Sequence, residues 1–254
     1  IPEIVARIRT TTDLEQACAQ ADVVVEAISE NLALKQQLFA ELDRLCSERA
    51  ILCSNTSVIS ITQIGASAAR RERILGTHFW NPPYLIPLVE VVQTELTAPS
   101  CVDAICDLLH TVGKEPVRVY KDVPGFVGNR LQHALWREAF ALIDEGVCDP
   151  ATVDVVVRNG FGLRLPVLGP VVNADLVGLD LTLAIHDYIL PHLNASPIPS
   201  HTLRTRVEQR ELGFKTGGGF LPWSEEAIAS TRERLVTYLL ETLSRRTSSN
   251  SSRV

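Results

Sequence analysis

His78 and Glu90 stand at the two ends of the segment HFWNPPYLIPLVE, inside the longer stretch GTHFWNPPYLIPLVEVV (76–92). An imidazole and a carboxylate brought together make a general base. The acid fixes the tautomer through one ring nitrogen and raises the basicity of the other. A dyad of this kind suits the removal of a proton from an alcohol. Asn81-Pro82-Pro83 breaks the chain between the two residues, and Leu88 to Val92 then reads as a strand that returns beside the one ending at His78. Spacing alone also fits a structural histidine with a surface acid. His110, His133, His186, His192 and His201 lack comparable surroundings and read as structural or surface groups.

Two further polar groups fall where strands should end. Ser54-Asn55-Thr56-Ser57 follows Ala50-Ile51-Leu52-Cys53, and Ala27, Ser29 and Glu30 follow Asp22 to Glu26. Ligands of open α/β sheets bind outside the carboxyl ends of the strands, so this clustering is itself informative. A polar rim is also what any sheet end shows.

The elements that must carry these residues alternate. Short apolar runs at Asp22–Ile28, Ala50–Cys53, Arg73–Phe79, Leu88–Val92 and Val117–Tyr120 suit strands buried on both faces. Helical stripes lie between them at residues 13–20, 31–46, 61–70 and after Pro99. This alternation predicts a doubly wound α/β domain. Past Asp122-Val123-Pro124-Gly125 the strand signal fades. Helices are expected at residues 129–145, from Pro150 to Asn159, at 176–190 and at 225–245, with a frayed tail beyond. The predicted boundary between an α/β domain and a helical domain is therefore near residue 123.

The chain has 254 residues, is 46% hydrophobic and carries a net charge of −6. An acidic chain without a basic patch argues against nucleic acid as a partner. No apolar run approaches the roughly 18 residues of a membrane span, and no secretory signal is visible. Cys18, Cys46, Cys53, Cys101, Cys106 and Cys148 form no CxxC pair and read as buried thiols of a reducing compartment. No His/Cys cluster has the spacing of metal ligands. There is no methionine and the chain opens on Ile1-Pro2-Glu3, so it reads as a fragment or a processed form. No GxGxxG follows a strand. If the protein holds a dinucleotide, the pyrophosphate loop is expected upstream of Ile1.

VVVEAISENLALKQQLFAEL (23–42), LCSNTSVISIT (52–62), GTHFWNPPYLIPLVEVV (76–92), KDVPGFVGNRL (121–131) and FKTGGGF (214–220) together resemble the 3-hydroxyacyl-CoA dehydrogenase family, in its order and spacing. The resemblance implies a Rossmann-type NAD domain over residues 1–123, lacking its first strand and helix. An all-α domain over residues 124–254 would carry the substrate pocket and form a homodimer. It implies NAD-dependent oxidation of the 3-hydroxyl of a 3-hydroxyacyl-CoA in cytoplasmic fatty acid metabolism. His78 matches the family's base and Glu90 the acid that orients it. Ser57 and Asn129 match residues that hold the substrate oxygen. Ala27, Glu30, Lys35, Asn55, Asn81 and Lys215 match positions lining the cofactor. For Glu30, Lys35 and Lys215 an ordinary solvated charge is the other reading. The segment NGFGLRLPVLGP (159–170) departs from the short-chain acyl-CoA pattern and resembles members acting on small hydroxy acids such as L-gulonate. There Arg164 would clamp a substrate carboxylate, or serve as a surface arginine. A non-catalytic, dimerising relative is a third reading.

Overall fold

The computed structural model describes residues 2–251. In chain order its elements are α1 (Pro2–Val5), α2 (Leu14–Cys18), β1 (Val23–Glu26), α3 (Leu32–Leu45), β2 (Ile51–Ser54), α4 (Ile61–Ile64), β3 (Ile74–Phe79), β4 (Leu88–Val92), α5 (Pro99–Thr111) and β5 (Glu115–Val119), then α6 (Gly128–Asp144), α7 (Pro150–Asn159), α8 (Pro170–Val177), α9 (Leu179–Ile189), α10 (His201–Glu208) and α11 (Glu225–Ser251). Two compact units result. One runs to Leu131 and takes in the stretch from Leu243; the other is Gln132–Thr242.

The first unit is built on a five-stranded sheet in the order β1-β2-β3-β4-β5. All neighbours are parallel except β3 and β4, which run antiparallel. Side chains alternate across the strands and feed two cores. On one face Leu52, Ile74 and Val92 pack with Phe39 and Leu42 of α3 and with Ile61 and Ile64 of α4. On the other, Ile51, Cys53, Leu75, Val89 and Val91 pack against Val102, Ile105 and Leu109 of α5. This is a Rossmann-like α/β unit, and helices make up nearly all the regular structure of the second.

Local chemistry sets the ends of these elements. Asn31 caps α3 by accepting the Leu34 N–H, and α5 opens on Pro99, where a missing N–H costs nothing. Asp122, just past β5, accepts the Ser60 hydroxyl (2.6 Å) and the Thr62 N–H (2.8 Å), which ties that strand end to the start of α4.

Several expectations are corrected. The helix expected over residues 61–70 lasts one turn, continues as a 3-10 turn over Gly65–Ser67 and stops. The Asp43 carboxylate takes the Ala69 and Arg70 N–H groups (2.9 and 3.3 Å), so no helical partner is needed there. The helix expected over residues 176–190 is divided by Gly178, whose φ of +101° is a glycine conformation. α10, capped by Ser200, was not expected at all. β1 lies at the sheet's edge and leaves Val25 about half exposed (49%), not buried on both faces. Of the cysteines, Cys101 and Cys148 are only partly buried, and all six are free thiols. Burial pushes the Cys53 thiol up to about 12, which removes it from thiolate chemistry near neutral pH.

Gly76 sits where β3 meets α4. A Cβ there would stand 2.8 Å from Ile61 Cδ1 and 3.1 Å from Val92 Cβ. Gly76→Ala should therefore destabilise the first unit by about 1–3 kcal/mol, read as a lower urea midpoint with an unchanged m-value.

Candidate active site

β3 and β4 place His78 and Glu90 directly opposite one another in the antiparallel register. Their side chains meet: His78 Nδ1 lies 2.8 Å from Glu90 Oε2. Both are buried, with 5% and 1% of their surface exposed. The rings of Trp80 and Phe126 flank the imidazole at 5.4 and 5.8 Å. No described residue hydrogen-bonds His78 Nε2. With Nδ1–H given to the carboxylate, Nε2 is the nitrogen left with a lone pair.

Glu90 does more than orient the ring. Its Oε1 accepts the Val127 and Gly128 N–H groups (2.9 and 3.0 Å), the first amides of α6. A carboxylate at this position satisfies free N–H donors and meets the positive end of the helix dipole. Its Oε2 also accepts the Trp80 indole N–H at 3.3 Å. Burial alone would raise the carboxyl. His78 and the Gly128 and Val127 amides outweigh it and hold Glu90 below the ordinary glutamate value of 4.5.

The approach of α6 is close. A Cβ at Gly128 would stand 2.3 Å from Trp80 Cζ2, so only glycine fits beneath the indole. The preceding turn has Gly125 and Phe126 at φ +77° and +50°. It is pinned to the loop after β2, where the Gly125 N–H donates to Val58 O (3.2 Å) and Asn129 Nδ2 donates to Ser57 O (2.9 Å). Ser57 is exposed, and its hydroxyl has no partner among the described residues.

The loops after β1 and β2 form a second network. Glu30 Oε1 accepts the Thr56 hydroxyl (2.5 Å) and the Ser57 and Val58 N–H groups (3.1 and 3.3 Å). Burial would raise its carboxyl; Thr56, the Val58 amide, the Lys35 charge and the Ser57 amide together lower it. Lys35 is not a solvated charge. It is 1% exposed and bridges Glu26 (2.7 Å) and Glu30 (3.4 Å). Glu26 in turn accepts the Ser54 hydroxyl at 2.6 Å. Asn55 Oδ1 accepts the Phe79 N–H at 2.9 Å and so links the ends of β2 and β3. Ala27 and Asn81 are exposed at the strand ends.

In the first unit the structure thus gathers Lys35, Glu30, Ser57, Asn129, Glu90 and His78 into one connected set. Lys215 and Arg164 belong to the second unit. Both are exposed, Lys215 in the loop before Gly217 and Arg164 just after the 3-10 turn Phe161–Leu163. Sequence reasoning missed Trp80, Phe126, Glu26 and the Val127–Gly128 amides. Trp80 carried a signal, because it stands just past β3, two positions from His78, where extended chain would keep it on the same side. Glu26 was a lone acid in an apolar run.

Exposed groups gathered at the carboxyl ends of β1 and β2 are compatible with a bound dinucleotide. Apolar Ala27 and Ile28 are exposed just past β1, where the Ile28 N–H donates to Glu26 Oε1 (2.7 Å) and the Asn55 N–H to Glu26 O (2.8 Å). The chain has no glycine before Gly65, so a pyrophosphate cradle is not among its β1–β2 residues.

Residues 1–123 match the family model described as 3-hydroxyacyl-CoA dehydrogenase, NAD binding domain. Residues 125–223 match 3-hydroxyacyl-CoA dehydrogenase, C-terminal domain. The chain is 36% identical to 5-formyl-3-hydroxy-2-methylpyridine 4-carboxylate 5-dehydrogenase of Mesorhizobium japonicum, over 91% of this chain and 75% of that protein. It is 38% identical to a probable 3-hydroxybutyryl-CoA dehydrogenase of Bacillus subtilis, over 89% and 77%. Among solved structures, a 5-formyl-3-hydroxy-2-methylpyridine 4-carboxylic acid 5-dehydrogenase superposes with a TM-score of 0.87 at 34% identity, covering 91% of this chain and 75% of that one. A (S)-3-hydroxybutyryl-CoA dehydrogenase from Ralstonia eutropha superposes with 0.70 at 35% identity, covering 88% and 78%.

Glu90, Glu30 and Asp43 all titrate below their ordinary values in the fold. A depressed carboxyl contributes stability that is complete above its unfolded pKa and lost as pH falls through its folded one. The urea midpoint should hold from neutral pH to about 5 and decline below about 4.5. Glu90→Gln should lower stability at pH 7 by on the order of 2–3 kcal/mol and flatten that acid decline. A midpoint indifferent to both acid and substitution would contradict the assignment.

Proposed function

The chain belongs to the 3-hydroxyacyl-CoA dehydrogenase family, NAD-dependent oxidoreductases acting on CH–OH groups, and we propose that it oxidises the 3-hydroxyl of a 3-hydroxyacyl-CoA, such as 3-hydroxybutyryl-CoA, with His78 as the base. One observation carries this reading: Nδ1 of His78 is taken by a buried carboxylate while Nε2 has no protein partner among the described residues. Nε2 receives the hydroxyl proton, and Glu90 stabilises the imidazolium that forms. The Ser57 hydroxyl and the Asn129 amide hold the oxygen as it becomes a carbonyl. When bound, NAD⁺ supplies the hydride acceptor. Ala27, Glu30, Asn55, Asn81 and Lys215 hold the cofactor, and Lys35 supports Glu30 from behind. The assembled dyad argues against a non-catalytic role.

A second substrate reading rests on Arg164. In the second unit it lines a cavity of about 320 Å³ with Phe161, Leu165, Leu168, Pro170 and Asn173. A guanidinium beside apolar side chains suits a small carboxylate, and the Mesorhizobium relative is named for a pyridine carboxylate. On this reading the same oxidation acts on a small free hydroxy acid.

Residues 1–123 are the NAD-binding part in this proposal, and residues 124–254 the helical part that serves substrate binding and homodimerisation. The dimer is supported by α8 and α9, which bury no residue. They leave Val171, Leu176, Leu179 and Leu183 between 62% and 74% exposed. No helix among the described residues is long and apolar enough to cross a membrane. A place in cytoplasmic fatty acid metabolism goes with the acyl-CoA reading.

His78→Gln should keep the fold and lower kcat by about 10²–10⁴; near-normal turnover would remove His78 as the base. Arg164→Ala should raise KM about tenfold or more for a free hydroxy acid while sparing 3-hydroxybutyryl-CoA. The reverse pattern, or no change for either, would remove the carboxylate clamp. Light scattering should give twice the chain mass, and Leu176→Asp with Leu183→Asp should return it to one.

A further inference from the structure

The carboxylate oxygen that holds His78 is shared. Glu90 Oε2 accepts from His78 Nδ1 at 2.8 Å and from Trp80 Nε1 at 3.3 Å, while Oε1 is occupied by the two amides of α6. Trp80 follows β3 on the same side as His78, with its ring 5.4 Å from the imidazole. Its seat is shaped for it, because a Cβ at Gly128 would collide with Cζ2 at 2.3 Å. A phenyl ring could fill this space but could not donate a hydrogen bond.

We propose that Trp80 is a positioning residue that sets the basicity of His78 through Glu90. This inference rests on the reading of His78 as the base. A hydrogen bond to a carboxylate spreads its charge and weakens its pull on any neighbouring cation. The indole N–H therefore limits how strongly Oε2 stabilises the imidazolium. Among the described residues, Glu90 on β4 is the one ionisable group in hydrogen-bond contact with the imidazole. Trp80 and Phe126, whose rings flank the imidazole, bear no charge. Trp80 acts on the proton and not on the substrate, so its removal should alter the pH profile more than the binding of either reactant.

The test is Trp80→Phe, which keeps an aromatic ring and removes the donor. The midpoint of His78 is read by nitrogen-15 NMR of labelled histidine, assigned with His78→Gln, alongside the pH dependence of kcat/KM. In Trp80→Phe the midpoint and the acid limb should both move to higher pH, by on the order of half a unit. KM should stay near the wild-type value. Gly128→Ala, which pushes the indole off its seat, should shift the midpoint in the same direction and covers the case of a misfolded Trp80→Phe. Lower stability or lower kcat with an unmoved midpoint would make Trp80 a packing residue only and overturn the proposal. If His78→Gln instead retains turnover, the assignment of the base fails. The NMR midpoint still decides separately whether Trp80 acts on His78 through Glu90.

Discussion

A carboxylate removed from water persists as an anion only where donors replace its hydration. Glu90 meets that requirement with four: an imidazole and an indole from one stretch of chain and two adjacent backbone amides from another. Each donor has a further dependence. The imidazole is set by the register of β3 on β4, the amides by where α6 starts, and the indole by the missing side chain at Gly128. One anion therefore fixes the direction of a ring, the first turn of a helix and the seat of an aromatic at once. A neutral acid at this point would leave all three without a common anchor.

The antiparallel pair is what makes this possible in an otherwise parallel sheet. Parallel neighbours need a long crossover, and paired residues then sit far apart in the chain. A direct return puts residues of one segment face to face, so a single motif supplies both members of the dyad. The same electrostatic constraint governs the other buried charges. Lys35 lies between Glu26 and Glu30, and Arg73 is held by the Asp43 carboxylate at 2.7 Å. Among the described residues, each of these buried charges has an oppositely charged partner, in keeping with the large cost of an uncompensated ion.

Much of the first unit was legible because its strands are short apolar runs punctuated by polar turns, and its helices carry one apolar stripe. The meeting of His78 and Glu90 could be read from a chain break between two strand signals. Periodicity could not report side-chain capture of backbone groups, such as Asp43 on Ala69 and Arg70, which ends α4 early. Nor could it distinguish a solvated lysine from Lys35, since burial depends on what a neighbouring strand offers. In the second unit apolar residues are so frequent that the break at Gly178 disappears into the pattern, and α10 is too polar to announce itself. Trp80 went unread for another reason: its partner is reached only through the third dimension.

The contacts that build the site differ widely in reach along the chain. His78 and Glu90 are 12 residues apart, but Glu90 and Gly128 are 38, Ser60 and Asp122 are 62, and Ser57 and Asn129 are 72. Closing longer loops costs more entropy before any bond repays it, and folds rich in such contacts form slowly. The Val127 and Gly128 amides that meet the Glu90 carboxylate therefore cost more loop entropy to bring in than the strand pair that sets His78 against it, so the start of α6 is the costlier half of this anchor.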